Sequence, residues 1–251
     1  MSSHRTANRQ GTTSAGASTA TTKLAYLKAN ELFRDLTPAQ LEPFHHTIQM
    51  ARCCAGHVFY RPGETGEVMF LVKEGSARLY RMSPDGRKLV FAHVPQASIF
   101  GEMACIGQAM HDCFAEAVED SLICTLSRDD VKRLILQYPS FALRLLETVA
   151  GRMVEAERQL EALAFKPVLP RLAELLRREA RDGLVVGLSH QDLGERLGVY
   201  RETVTEALSE LKTAGLLEIG RRRLRLLDEA RLQEIADKGR MAGWLPRGRQ
   251  S

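Results

Sequence analysis

The sequence predicts an α+β chain in three parts: an N-terminal antiparallel β-roll, one long helix, and a C-terminal winged helix-turn-helix. Three observations carry this reading. Leu188–Leu217 reads as two short amphipathic helices around a tight Gly-containing turn. Residues 139–165 hold one unbroken apolar stripe at three- and four-residue steps. Between Met50 and Leu126, short apolar runs alternate with Gly- and Pro-containing turns at the regular spacing of a small antiparallel sheet.

The chain divides accordingly. Residues 1–22 are rich in Ser, Thr, Ala and Gly and are expected to be a disordered tail. They lack an apolar run, so no signal peptide is expected. Residues 23–138 form the roll domain. Short helical patterns open it, including Thr37-Pro38, a cap with proline at the first helical position. Val68–Val72, Ala77–Tyr80 and Lys88–His93 then read as strands, parted by turns at Arg61–Glu64, Lys73–Gly75 and Ser83–Gly86. At Ser127-Arg-Asp-Asp130 a cap followed by acids returns the chain to helix, with Val131, Leu134 and Ile135 as its apolar face.

The long helix, 139–165, carries Phe141, Leu145, Leu146, Val149, Met153, Ala156, Leu160 and Leu163, flanked by Arg152, Glu155, Arg158 and Glu161. A long, narrow stripe with charged edges reads as a coiled-coil seam between two copies; a helix packed on its own domain is the alternative. Pro167 and Pro170 are expected to end it and form a hinge, with Leu172, Leu175 and Leu176 starting the next helix. Residues 166–229 make the winged helix-turn-helix, and 230–251 a C-terminal helix and basic tail.

Within that module Ser189 is placed to cap the first helix and Asp192 to favour its dipole. Leu193 and Leu197 share a face, Gly198 ends the helix, and Val204, Leu208 and Leu211 line the second. Leu217–Leu227 alternates around Gly220 like a wing. With Val204 and Leu208 turned inward, Arg201 and Glu202 point outward from the start of the second helix. Arginine can donate twice to guanine, and glutamate can accept from cytosine, in a major groove. Ser189, His190, Gln191 and Thr203, with Arg221 and Arg222 of the wing, are placed to meet phosphates. A pair of helices with a merely solvated charged face remains the alternative.

Charge supports the first of these. The 251 residues have a net charge of +4, and all of the excess lies in Lys166–Ser251, with 17 basic and 13 acidic residues. Double-stranded DNA is the expected partner. No run of 18 apolar residues suggests a membrane span. Five cysteines, an odd number without framework spacing, fit a reducing cytoplasm. No nucleophile–base pair, metal-ligand run or glycine-rich phosphate loop is visible, so neither an enzyme nor a metal site is expected.

The order of parts resembles the Crp/Fnr superfamily of bacterial transcription regulators, over roughly residues 32–228. Phe59–Glu64 with Phe70–Gly75 is similar to that family's roll signature. Phe100-Gly-Glu102 is similar to the opening of its phosphate-binding cassette, and Leu163-Ala-Phe165 to the end of its dimer helix. Tyr200–Val204 is similar to the recognition helix of the cyclic-AMP receptor branch. The resemblance implies a cyclic-nucleotide-binding-like roll acting as sensor, a dimerisation helix, and a homodimer on an inverted-repeat operator. It further implies Arg201 and Glu202 reading a TGTGA-like half-site, and contact with RNA polymerase.

Departures qualify this. Thr205 and Glu206 stand where the cyclic-AMP branch continues toward its third base-reading arginine, so the half-site is expected to differ. Counting from Gly101-Glu102, Asp112-Cys113 replaces the Arg-Ser pair that clamps the cyclic phosphate, and Ala156-Glu157 replaces the Thr-Ser pair that meets adenine. A carboxylate repels a cyclic phosphate, so cyclic AMP is not the expected effector. Cys105 and Cys113 flank the cassette and are redox candidates, although buried, inert cysteine is the reading that the residue type favours. Haem ligation by His93 and His111 with a cysteine, and a regulator without effector, also stay open. The rival from another class is a cyclic-nucleotide-binding regulatory subunit, which needs the missing cassette arginine and has no use for Arg201-Glu202.

Overall fold

The computed structural model describes residues 25–28, 30–64, 68–102 and 113–238. The readings of residues 1–22, Cys105, His111, Asp112 and the tail beyond Lys238 fall outside them. By its contacts the chain forms two compact units: residues 1–77 with 94–149, and residues 78–93 with 150–251.

After a 3-10 turn at Glu31–Phe33, the first unit has helix α1 (Pro38–His45), whose N-cap Thr37 accepts from Gln40 N while the Gln40 side chain accepts from Thr37 N. The predicted cap is therefore a full reciprocal box. Eight strands follow along the chain, of which β4 and β5 fall almost wholly in the second unit: β1 (Gln49–Cys53), β2 (Val58–Tyr60), β3 (Val68–Glu74), β4 (Ala77–Met82), β5 (Lys88–Val94), β6 (Ile99–Phe100), β7 (Phe114–Ala117) and β8 (Ser121–Ser127). They form two four-stranded sheets, ordered β1-β8-β3-β6 and β2-β7-β4-β5, with antiparallel pairing along β1–β8, β3–β8, β3–β6 and β2–β7. Alternation places Met69, Leu71, Cys124 and Leu126 in one core with Leu27, Phe33, Leu41 and Ile48. Ser127 caps α2 (Arg128–Gln137) by accepting from Asp130 N, and the buried Asp130 is itself held by Arg133.

The long helix α3 (Pro139–Phe165) starts in this core, where Phe141 and Leu145 are buried and Phe33 meets Phe141 at 5.4 Å between ring centroids. Those two residues therefore correct the seam read from the sequence: the roll uses them, because the first turns of α3 cover its helical end. Farther along, Leu143, Leu146, Ala150, Met153, Glu157, Leu160 and Ala164 recur at alternating three- and four-residue steps, and all are exposed. Leu143, Leu146, Met153 and Leu160 are 61, 64, 61 and 68% exposed, a row of apolar surface that neither core covers.

The second unit continues with α4 (Val168–Glu179), β9 (Leu184–Val186), α5 (His190–Leu197), α6 (Arg201–Thr213), β10 (Leu217–Gly220), β11 (Arg223–Leu226) and α7 (Glu229–Lys238). Pro170 is no part of a hinge: it lies buried in the first turn of α4, where a missing N–H costs nothing, and Lys166-Pro167 is the whole break. Leu172, Leu176, Leu193, Val204, Leu208, Leu211, Leu224 and Leu232 meet in one core. The predicted wing hairpin gains β9 as a third strand, in the order β10-β11-β9.

Ion pairs tie the end of α3 to α4. Glu155 accepts from Arg158 and Arg178, and Glu174 accepts from Arg158 and Lys166. The hydrogen bonds from Arg158 chiefly hold the Glu155 carboxyl at about 2 instead of the ordinary 4.5. A depressed carboxylate stabilises the fold above its unfolded value and stops doing so as pH falls through the folded one. Glu155→Gln is therefore expected to lower the thermal midpoint at pH 6, by an amount that shrinks as pH falls from about 4.5 toward 2. A deficit constant over that range, measured by circular dichroism, would contradict this role.

Candidate nucleic-acid interface

Helices α5 and α6 are set by local sequence. Ser189 Oγ accepts from Asp192 N, and Asp192 Oδ2 accepts from Ser189 N and from its hydroxyl at 2.8 and 2.6 Å. Asp192 is thus half of a reciprocal cap as well as a charge at the helix N-terminus. Gly198 ends α5 at φ 67°, left-handed backbone that suits glycine. Gly194 lets the following turn close: a Cβ there would stand 2.9 Å from Val199 O. The glycine inside a helical pattern is the signal that sequence reading passed over.

On α6, Val204, Ala207, Leu208 and Leu211 are buried, so Arg201, Glu202, Thr205 and Glu206 are left exposed along one side. Thr203 is half-buried. Burial, then the Glu206 charge, pushes the Glu210 carboxyl above its ordinary value. Beside the start of α6, Ser189, His190, Gln191, Arg201, Arg222 and Arg223 line a single groove of about 460 Å³. Arg222 sits at φ 52° in the two-residue turn of the wing, with Arg221 before it. Arg223, the first residue of β11, joins the groove although the sequence singled out only Arg221 and Arg222.

Some expected phosphate ligands have internal work. The Ser189 hydroxyl is taken up by Asp192, and Gln191 Nε2 donates to Glu195 Oε1 at 3.0 Å. His190 Nδ1 lies 2.9 Å from Thr205 Oγ1, on the recognition helix itself. The turn before α6 is also gripped by residues 78–93. Tyr200 Oη donates to Asp85 Oδ2 at 2.8 Å, Arg87 lies over the Tyr200 ring at 4.9 Å, and Arg78 pairs with Glu195 at 3.2 Å. Hydrogen bonds from Ser83 and Tyr200 hold Asp85 at about 2, ionised beside Tyr200, the residue that precedes α6.

The effector-pocket candidates fall in both units. Gly101 turns the chain at φ 77° after β6, and Glu102 is buried. Cys113 is half-buried, and Ala156 and Glu157 are exposed on α3. Cys124 is buried in the roll core; Cys53, half-buried, has its thiol pushed up by burial and then by neighbouring Cys54. Among the described residues no group of three or more His, Cys, Asp or Glu side chains could hold a metal ion. No described helix is long and apolar enough to cross a membrane.

Known proteins match the chain in two stretches. Residues 50–138 match the cyclic nucleotide-binding domain, and residues 170–235 the Crp-like helix-turn-helix domain. The cyclic AMP receptor protein of Thermus thermophilus is 30% identical over 212 residues, 84% of this chain and 98% of that one. FixK2 of Bradyrhizobium japonicum superposes with a TM-score of 0.66 at 28% identity, over 74% of this chain and 96% of its own. A transcriptional regulator of the CRP/FNR family from Thermus thermophilus gives the same score and identity over 76% of this chain and all of its own.

Proposed function

This chain belongs to the Crp/Fnr superfamily of transcription regulators, and from that premise we propose that it works as a homodimer on an inverted-repeat operator, without cyclic AMP. It is a regulator whose Crp-like helix-turn-helix domain binds DNA. The observation that carries the finer reading is the exposed side of α6, with Arg201, Glu202, Thr205 and Glu206, beside a groove whose wing side is lined by Arg222 and Arg223. Base edges meet the first set and the sugar–phosphate backbone the second. A twofold axis along the exposed heptad row of α3 would set two recognition helices into successive major grooves, about 34 Å apart. Acting on transcription, the protein meets RNA polymerase in the cytoplasm.

The Thermus relative is named for cyclic AMP. Here Asp112 stands where the family's arginine clamps the cyclic phosphate, which a carboxylate opposes, and Ala156-Glu157 replaces the hydroxyl pair that meets adenine. Fluorescence anisotropy with operator DNA tests this. Affinity unchanged by millimolar cyclic AMP is expected; a cyclic-AMP-dependent gain would overturn it. In the same assay, Arg222→Ala is expected to flatten the dependence of log K on log salt by about one unit per half-site while sparing sequence preference. An unchanged slope would remove the wing from backbone contact.

A further inference from the structure

We propose that His190 is a positioning residue that pins the Thr205 hydroxyl, making the recognition surface beyond Arg201 one that only accepts hydrogen bonds from bases. This rests on the reading of α6 as the base-reading helix and extends it to what is read. Thr205 Oγ1 lies 2.9 Å from Arg201 O and 2.9 Å from His190 Nδ1. Both are ordinary hydrogen-bond lengths. A carbonyl oxygen only accepts, so the single hydroxyl proton goes to Arg201 O, and Nδ1 must bring its own proton to Oγ1. Thr205 is left with one lone pair and no donor.

The pinning matters because threonine in a helix divides between two χ1 rotamers. The backbone of α6 alone supplies one partner, Arg201 O; the second comes from the start of α5. With both in place Oγ1 has one position. Its neighbours on the exposed side, Glu202 and Glu206, are carboxylates and accept only. In the major groove, adenine N6 and cytosine N4 donate, whereas guanine offers O6 and N7 and thymine O4, all acceptors. Each half-site should therefore pair one guanine, facing Arg201, with amino-bearing bases facing Glu202, Thr205 and Glu206.

The test is equilibrium competition binding of full-length protein to a selected operator and all its single-base-pair variants, symmetric in both arms. Wild type is expected to prefer adenine or cytosine at one further position by roughly fivefold. Thr205→Val, isosteric without the acceptor, should erase that preference alone. His190→Ala should erase most of it, and His190→Asn, whose side-chain amide can still donate at the Nδ1 position, should restore it. If His190→Ala weakens every duplex by the same factor, His190 is a backbone contact and the inference is overturned. A preference for guanine or thymine at the position changed by Thr205→Val overturns it as well. Loss of the guanine preference itself in the wild-type profile would instead defeat the base-reading assignment of α6.

Discussion

Replacing Met153 and Leu160 together by glutamate is expected to convert the proposed homodimer into a monomer and abolish tight operator binding. Both side chains stand in the exposed heptad row of α3, at 61 and 68% exposure, and contribute nothing to either core. Across a twofold seam the change removes four large apolar side chains. At about 1.5–3 kcal/mol each, that is at least about 6 kcal/mol of association energy before any charge repulsion. The dimer dissociation constant should rise by more than about four powers of ten. Sedimentation equilibrium reads the mass, and circular dichroism should show the fold retained, since the altered residues face solvent in the single chain. The same row holds Glu157, which a symmetric seam would bring against its own copy. Glu157→Leu is accordingly expected to tighten the dimer. If the double glutamate variant stays dimeric, the seam lies elsewhere.

Arg201→Ala is expected to cost about 1–3 kcal/mol against the preferred operator and to relax choice at one base pair per half-site. Arg201 is exposed at the first position of α6, so its loss leaves the helix-turn-helix core of Val204, Leu208 and Leu211 intact. The measurement is a ratio: affinity for the preferred operator against the variant lacking that guanine. The ratio should fall toward one in Arg201→Ala, while affinity for unrelated duplexes changes little. An equal loss on all sequences would make Arg201 a phosphate ligand, which its place in the groove beside Arg222 and Arg223 also permits geometrically.

The parts most legible in the sequence were those fixed by short-range chemistry. Thr37, Ser127 and Ser189 cap the helices they were expected to cap, because a hydroxyl before a helical period acts within three residues. Gly198 and the burial of Val204, Leu208 and Leu211 follow likewise from local spacing. Long-range partners were not readable. The stripe on α3 has one period throughout, yet its first turns face the roll core and its later ones face solvent, a division that depends on what covers Phe141 and Leu145. Pro170 reads as a breaker until its place in a first turn is known. Strand β9 is three residues long and earns its assignment only by pairing with β11. At the site, the outward placement of Arg201 and Glu202 followed from helical phase, whereas Thr205 and Glu206 entered through the resemblance. The His190–Thr205 bond, fifteen residues apart, and the Tyr200–Asp85 bond, 115 apart, were not.

The most direct measurement is selection of bound duplexes from a random library by the full-length protein, read by sequencing. The expected product is an inverted repeat whose half-site centres lie about 10 base pairs apart, each with one guanine that Arg201→Ala no longer selects. Enrichment of an isolated half-site or a direct repeat, or no enrichment at all, would contradict a twofold dimer reading DNA through α6.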